Sequence, residues 1–113
     1  MSVVTAVEYR AKAAAAMSEA QLLDAVVALA KALGWRTYHT HDSRRSPAGF
    51  PDLVLVRDTR LVVAELKSTR GRYGPGQVEW LDAFNAVAGR VEAVTWRPAD
   101  LLDGTIEVAL RSR

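Results

Sequence analysis

Apolar residues recur along the chain with two different periods, and the period changes wherever Gly, Pro, Asp and Ser cluster. Leu22, Val26, Leu29, Ala30 and Leu33 are spaced by threes and fours, which predicts a helix with one buried face. Ser18 and Gln21 form a capping-box pattern at its start, and Gly34 marks its end. Residues 35–40 alternate as a strand does. Two nearly unbroken apolar runs follow, 49–56 and 61–67, with charge only at their ends. Each reads as a buried strand, and Asp58, Thr59 and Arg60 between them suit a tight turn, so the pair predicts a hairpin. Pro75 and Gly76 open a second helix that runs through Ala88, with Val78, Leu81, Phe84, Asn85 and Ala88 as its inward stripe. Residues 91–96 form a further short strand, and Pro98 suits the first turn of a short helix over 98–102. Residues 105–110 fit either a last helix or an edge strand.

The first residues differ from the rest. They are rich in Ala, with Val7, Arg10 and Ala14 at helical spacing but too few large apolar side chains for a core helix. We read 1–17 as a helical extension or arm, suited to packing on a second subunit, and 18–113 as the domain proper. The element order within that domain predicts an α/β fold, a mixed central β-sheet flanked by helices. At 113 residues one such domain fills the chain. The absence of cysteine excludes disulfides, thiolate catalysis and cysteine zinc sites. No apolar run is long enough to span a membrane, and Glu8, Arg10 and Lys12 interrupt any signal-peptide layout, so the expectation is a cytoplasmic protein without membrane contact.

The hairpin is where the chemistry gathers. Asp52 opens its first strand; Glu65 and Lys67 close the second. In an antiparallel hairpin the start of one strand lies beside the end of the other, so these three side chains meet at one edge of the sheet. Strand parity puts Glu65 and Lys67 on one face and Leu66 on the other. Charge at the end of an apolar hairpin is expensive unless it is paired or binds a metal. A divalent cation removes the repulsion between two carboxylates, and Mg²⁺ is commonly held by one or two carboxylates with water and substrate phosphate. A nearby lysine can orient an attacking water as the ammonium or deprotonate it as the neutral amine. Together these are the parts for metal-assisted phosphodiester hydrolysis.

Pro51-Asp52, followed thirteen positions after Asp52 by Glu65-Leu66-Lys67, resembles the PD-(D/E)xK nuclease signature. The wider set resembles the VRR-NUC branch of that superfamily: Gly34-Trp35, His39, Ser43-Arg44-Arg45, Gly49-Phe50-Pro51-Asp52, Ala64-Glu65-Leu66-Lys67, Gly76-Gln77 with Trp80-Leu81, and Trp96-Arg97-Pro98-Ala99-Asp100. The resemblance covers roughly residues 18–102. It implies a restriction-endonuclease-like core and a metal-dependent, structure-specific DNA endonuclease. On that basis Asp52, Glu65 and the Leu66 carbonyl hold Mg²⁺ or Mn²⁺, Glu19 completes the site or binds a second ion, and Lys67 positions or activates the water. Acids also favour helix N-termini for the dipole alone, which is the other reading of Glu19. The resemblance further places Gln77 close to the site, as a DNA or water contact. Stand-alone relatives look like Holliday-junction resolvases, which implies a branched four-way DNA substrate, a homodimer and a role in repair, replication or recombination. Other expectations on the same core are a flap, end-processing or restriction-type nuclease, or a silent DNA-binding module.

Net charge is only +2, yet residues 36–72 hold eight Lys or Arg against four acids. Ser43, Arg44 and Arg45 lie in the loop that leads into Asp52; Arg70 and Arg72 lie in a Gly-rich loop after Lys67 that reads as flexible. We expect these residues to hold DNA phosphates, the alternative being a solvated basic face. His39 and His41 share a strand face, but no third or fourth zinc ligand follows at close spacing. Trp80 and Trp96 read as core in preference to base-stacking platforms.

Overall fold

The computed structural model describes residues 5–40, 47–87 and 89–113. Among the described residues the elements follow in the order α1 (Ala6–Ala16), α2 (Glu19–Ala32), β1 (Arg36–His39), β2 (Leu53–Arg57), β3 (Arg60–Leu66), α3 (Gln77–Asn85), β4 (Glu92–Trp96), α4 (Pro98–Leu102) and α5 (Thr105–Arg111). The four strands form one mixed sheet in the order β1-β2-β3-β4. β1 pairs antiparallel with β2 and β2 with β3, and β4 lies parallel to β3. This is the α/β architecture that the sequence predicts. Among the described residues no single helix is long and apolar enough to cross a membrane.

Strand parity divides the sheet into two faces. Leu53, Leu55, Val62, Ala64, Leu66 and Trp96 point to one side and pack with Leu22, Val26 and Ala30 of α2 and Ile106 and Leu110 of α5. The second face carries Val63 and Glu65 and is covered by α3. Because both faces are covered at β3, every residue from 62 to 67 is buried. That is why this strand reads as an unbroken apolar run, and why a charge at its end sits under cover.

Ser18 caps α2 as expected: its Oγ accepts from Gln21 N at 3.1 Å, and Gln21 Oε1 accepts from Ser18 N at 2.9 Å. Thr5 and Glu8 make the same reciprocal pair at the start of α1. The N-terminal stretch is therefore a capped helix, which buries Ala14 and packs on α4. The last segment, open between helix and strand, is the helix α5 with Ile106 and Leu110 inward.

The end of the sheet away from the hairpin's charges is held by arginines. Arg57 Nη1 donates to Leu33 O at 3.2 Å and Leu110 O at 2.6 Å; Arg60 Nη1 donates to Ala109 O at 2.8 Å and Ser112 O at 2.6 Å. Both guanidinium groups lie over the ring of Trp35, 4.6 and 5.1 Å from its centroid. The last carbonyls of α5 thus receive cationic donors in place of the amides a helix end lacks.

α3 departs from expectation. It ends at Asn85, short of Ala88, which lies outside the described residues. Val78 and Asn85 do not face inward: Val78 is 43% exposed, and exposed Asn85 turns its side chain along the edge of β4, to the N–H and carbonyl of Ala93. An aromatic cluster of Phe50, Trp80 and Phe84 sets the helix phase instead, with ring centroids 5.1 to 5.9 Å apart.

Candidate active site

The hairpin places its charges where strand parity puts them. Asp52 comes directly before the first laddered residue of β2, and its Oδ2 accepts from Leu66 N at 2.9 Å across the pair. Glu65 is on the α3 side of β3 and only 1% exposed; Lys67, one residue past the strand, is 7% exposed. Lys67 Nζ stands 3.6 Å from Glu65 Oε1. Lys67 N donates to Trp96 O at 3.0 Å, which continues the β3–β4 pairing and fixes the lysine's backbone.

Gln77 points inward. Its Nε2 donates to Glu65 Oε1 at 3.0 Å, and its Oε1 accepts from Gly74 N at 2.6 Å. Its contact is thus the Glu65 carboxylate. A backbone crossing puts it there. Gly49 and Gly76 both take positive φ, 89° and 80°. A β-carbon on Gly49 would stand 2.5 Å from Gln77 N and nearer still to the Gly76 carbonyl carbon; one on Gly76 would stand 2.5 Å from Ala48 O. Only glycine permits so close a pass. The crossing locks the segment leading into Asp52 against the N-terminus of α3.

These groups share a cleft of about 230 Å³, lined by Asp52, Glu65, Lys67 and Gln77 together with Glu19, Thr40, Pro47, Gly49 and Phe50. A second hollow beside it runs from Glu19, Thr40 and Asp52 to Leu66. Glu19, in the first turn of α2, thus stands on the wall facing Asp52. Thr40 lines both hollows and was not singled out by the sequence; it follows His39, which pairs with Leu53 at the end of β1. Arg70 and Arg72 are exposed on the loop after Lys67. Ser43, Arg44 and Arg45, with His41, lie outside the described residues.

The electrostatics are those of a carboxylate pair short of positive charge. Burial first, and then the Asp52 carboxyl beside it, push Glu65 up to about 8, while the Lys67 ammonium pulls the other way. Glu65 Oε2 is buried and receives no donor among the described residues; the Asp52 carboxyl beside it can partner it only when one of the two carries a proton. An orphaned oxygen on a buried carboxylate is costly and is relieved by a proton or by a cation. Among the described residues no group of three or more His, Cys, Asp and Glu side chains is gathered so as to hold a metal ion by itself. The donor set is therefore two adjoining carboxylates with Glu19 across the cleft. That fits a hard divalent ion that keeps several waters and takes substrate phosphate.

The family described as the VRR-NUC domain matches residues 5–98. A solved structure titled "VRR_NUC domain" superposes with a TM-score of 0.60 at 18% identity, covering 80% of this chain and 97% of that one. Comparison with curated proteins finds none that matches.

Proposed function

The chain belongs to the VRR-NUC domain family, and with it to nuclease-type domains that process DNA; on that premise we propose that it is a metal-dependent, structure-specific DNA endonuclease of the Holliday-junction resolvase kind. One observation carries this reading. Asp52, Glu65 and Lys67 converge in a single cleft, with a buried Glu65 oxygen that has no hydrogen-bond partner among the described residues.

In this reading Asp52, Glu65 and the Leu66 carbonyl hold Mg²⁺ or Mn²⁺, with Glu19 completing the site or serving a second ion. When bound, the ion supplies positive charge against the charge that builds on the phosphoryl oxygens and the leaving 3′ oxygen. The protein's own groups do the rest. The Leu66 N–H fixes the Asp52 carboxylate, and Gln77 fixes that of Glu65. Lys67, kept in place by Glu65, holds the attacking water as an ammonium or, as the neutral amine, takes up its proton. Ser43, Arg44, Arg45, Arg70 and Arg72 hold phosphates and read shape over sequence. A two-fold homodimer supplies the paired nicks that a four-way junction needs. The setting is cytoplasmic DNA repair, replication or recombination.

The experiment is cleavage of labelled four-way junction, flap, fork, single strand and duplex, with Mg²⁺ or Mn²⁺, beside Lys67→Ala. Symmetric nicks in the junction alone, lost in the variant, are the expected result. Cleavage of flaps or plain duplex keeps the nuclease and discards the resolvase. Binding without any cleavage favours a silent DNA-binding module.

A further inference from the structure

The loop between Lys67 and α3 holds three glycines and a proline, yet it is tied along its length rather than free, contrary to its composition. Arg97 Nη1 donates to Ser68 O and Gly71 O, each at 2.8 Å, and reaches Thr69 O at 3.5 Å. Thr69 Oγ1 donates to Ala14 O of α1 at 3.0 Å. The Tyr73 hydroxyl and Thr95 Oγ1 are 2.6 Å apart. Arg97 comes directly after Trp96, whose carbonyl receives the Lys67 N–H. One cation therefore gathers the carbonyls of the turn that begins just after Lys67. Three carbonyl oxygens converging on one point repel, and charge-assisted hydrogen bonds offset that repulsion strongly. Gly71 passes close to the cleft: a β-carbon on it would stand 3.3 Å from Glu19 Oε1.

Arg70 and Arg72 ride on this turn, exposed. Their placement thus depends on a residue far along the chain. We infer that Arg97 is a positioning residue for DNA: acting through the 68–71 turn, it holds Arg70 and Arg72 at the rim of the Asp52–Glu65–Lys67 cleft and touches no DNA itself. The inference rests on Arg70 and Arg72 being phosphate contacts, as proposed above. A loop ordered in advance loses less conformational freedom when its arginines meet phosphate. All three hydrogen bonds run through a single nitrogen, so a lysine ammonium can serve the same carbonyls.

The test is the salt dependence of binding to a fluorescent four-way junction and to a matched duplex, in EDTA. The proteins are the wild type, Arg70→Ala/Arg72→Ala, Arg97→Gln, Arg97→Lys, and the triple variant with Arg97→Gln. Removing one cationic group from a phosphate lowers the slope of log affinity against log salt by about one. Arg70→Ala/Arg72→Ala is expected to lower it by about two, Arg97→Gln by between about one and two, and Arg97→Lys by less than Arg97→Gln. Adding Arg97→Gln to the double variant should change little. With Mg²⁺, Arg97→Gln should raise KM about tenfold and leave kcat within about threefold. A wild-type slope in Arg97→Gln, even with a lowered melting temperature, overturns the inference. So does an equal drop in slope in the double-variant background, or a fall in kcat at unchanged KM. Should Arg97→Gln not fold, Gly71→Pro removes the Gly71 N–H that donates to Ser68 O at 3.1 Å and loosens the same turn with Arg97 in place, and an unchanged slope there overturns the inference too. If Arg70→Ala/Arg72→Ala keeps the wild-type slope, the phosphate-contact reading has failed and takes the inference with it. A wild type that binds neither DNA overturns both.

Discussion

Glu65→Gln should abolish cleavage and, at the same time, stabilise the metal-free protein. Burial and the Asp52 carboxyl lift Glu65 from 4.5 to about 8. The folded protein keeps a proton on Glu65 that the unfolded chain releases. A group raised in this way contributes fully below pH 4.5, and that contribution is lost as the pH climbs through about 8. At pH 7, about 2.5 units above 4.5, the loss at about 1.4 kcal/mol per unit comes to about 3 kcal/mol. For 113 residues that corresponds to about 10 °C in Tm. A glutamine amide can accept from Gln77 and donate to Asp52, so the variant sheds the proton linkage without stranding its neighbours. Thermal melts in EDTA from pH 5 to 8.5 read this directly. The wild-type Tm should fall across the window and the variant's should stay level, with the variant higher by about 10 °C at pH 7. Added Mg²⁺ should raise the wild-type Tm and leave the variant's unmoved. Parallel pH curves, or a variant that melts below the wild type at pH 7, would refute the reasoning.

Trp35→Phe removes the Nε1 bond to Leu110 O at 2.9 Å and weakens the arginine stack; urea unfolding should show a loss of about 2 kcal/mol, with cleavage by the folded protein unchanged. Gly49→Ala puts a β-carbon against the Gly76–Gln77 backbone; it should cost about 2 kcal/mol or more and slow cleavage, since Asp52 and Gln77 both flank the crossing. Asn85→Ala strips the amide that pairs with Ala93 N and O at 3.1 and 3.2 Å. It should cost about 1–2 kcal/mol and, by baring the edge of β4, raise the aggregate seen by light scattering.

What could be read in advance was local. The Ser18–Gln21 cap, the Gly34 stop and the parity of Glu65 against Leu66 follow from spacing within a few residues, and they brought Asp52, Glu65 and Lys67 to one end of the sheet. The Thr5–Glu8 cap was equally local, but an alanine helix that buries one small side chain leaves little apolar signal. What escaped was set by distant partners. The phase of α3 depends on Phe50, so Val78 turned outward. The aim of Gln77 depends on the Gly49–Gly76 crossing. The loop after Lys67 looked loose by composition because nothing within it announces Arg97. Thr40 reaches the cleft only because β1 is laid beside β2. α5 was ambiguous because its seven residues hold two inward positions, too few to separate a period of 3.6 from one of 2.

Asp52 is the residue on which the proposed metal-dependent hydrolytic site turns. Asp52→Asn keeps an acceptor for the Leu66 N–H and removes the charge. The most direct measurement is single-turnover cleavage of a labelled four-way junction with Mg²⁺ by wild type and Asp52→Asn, with affinity measured alongside in EDTA. A metal-dependent site at Asp52 gives cleavage by the wild type, a loss of at least about a hundredfold in the variant, and affinity within a few-fold of wild type. Cleavage by Asp52→Asn at the wild-type rate would contradict it.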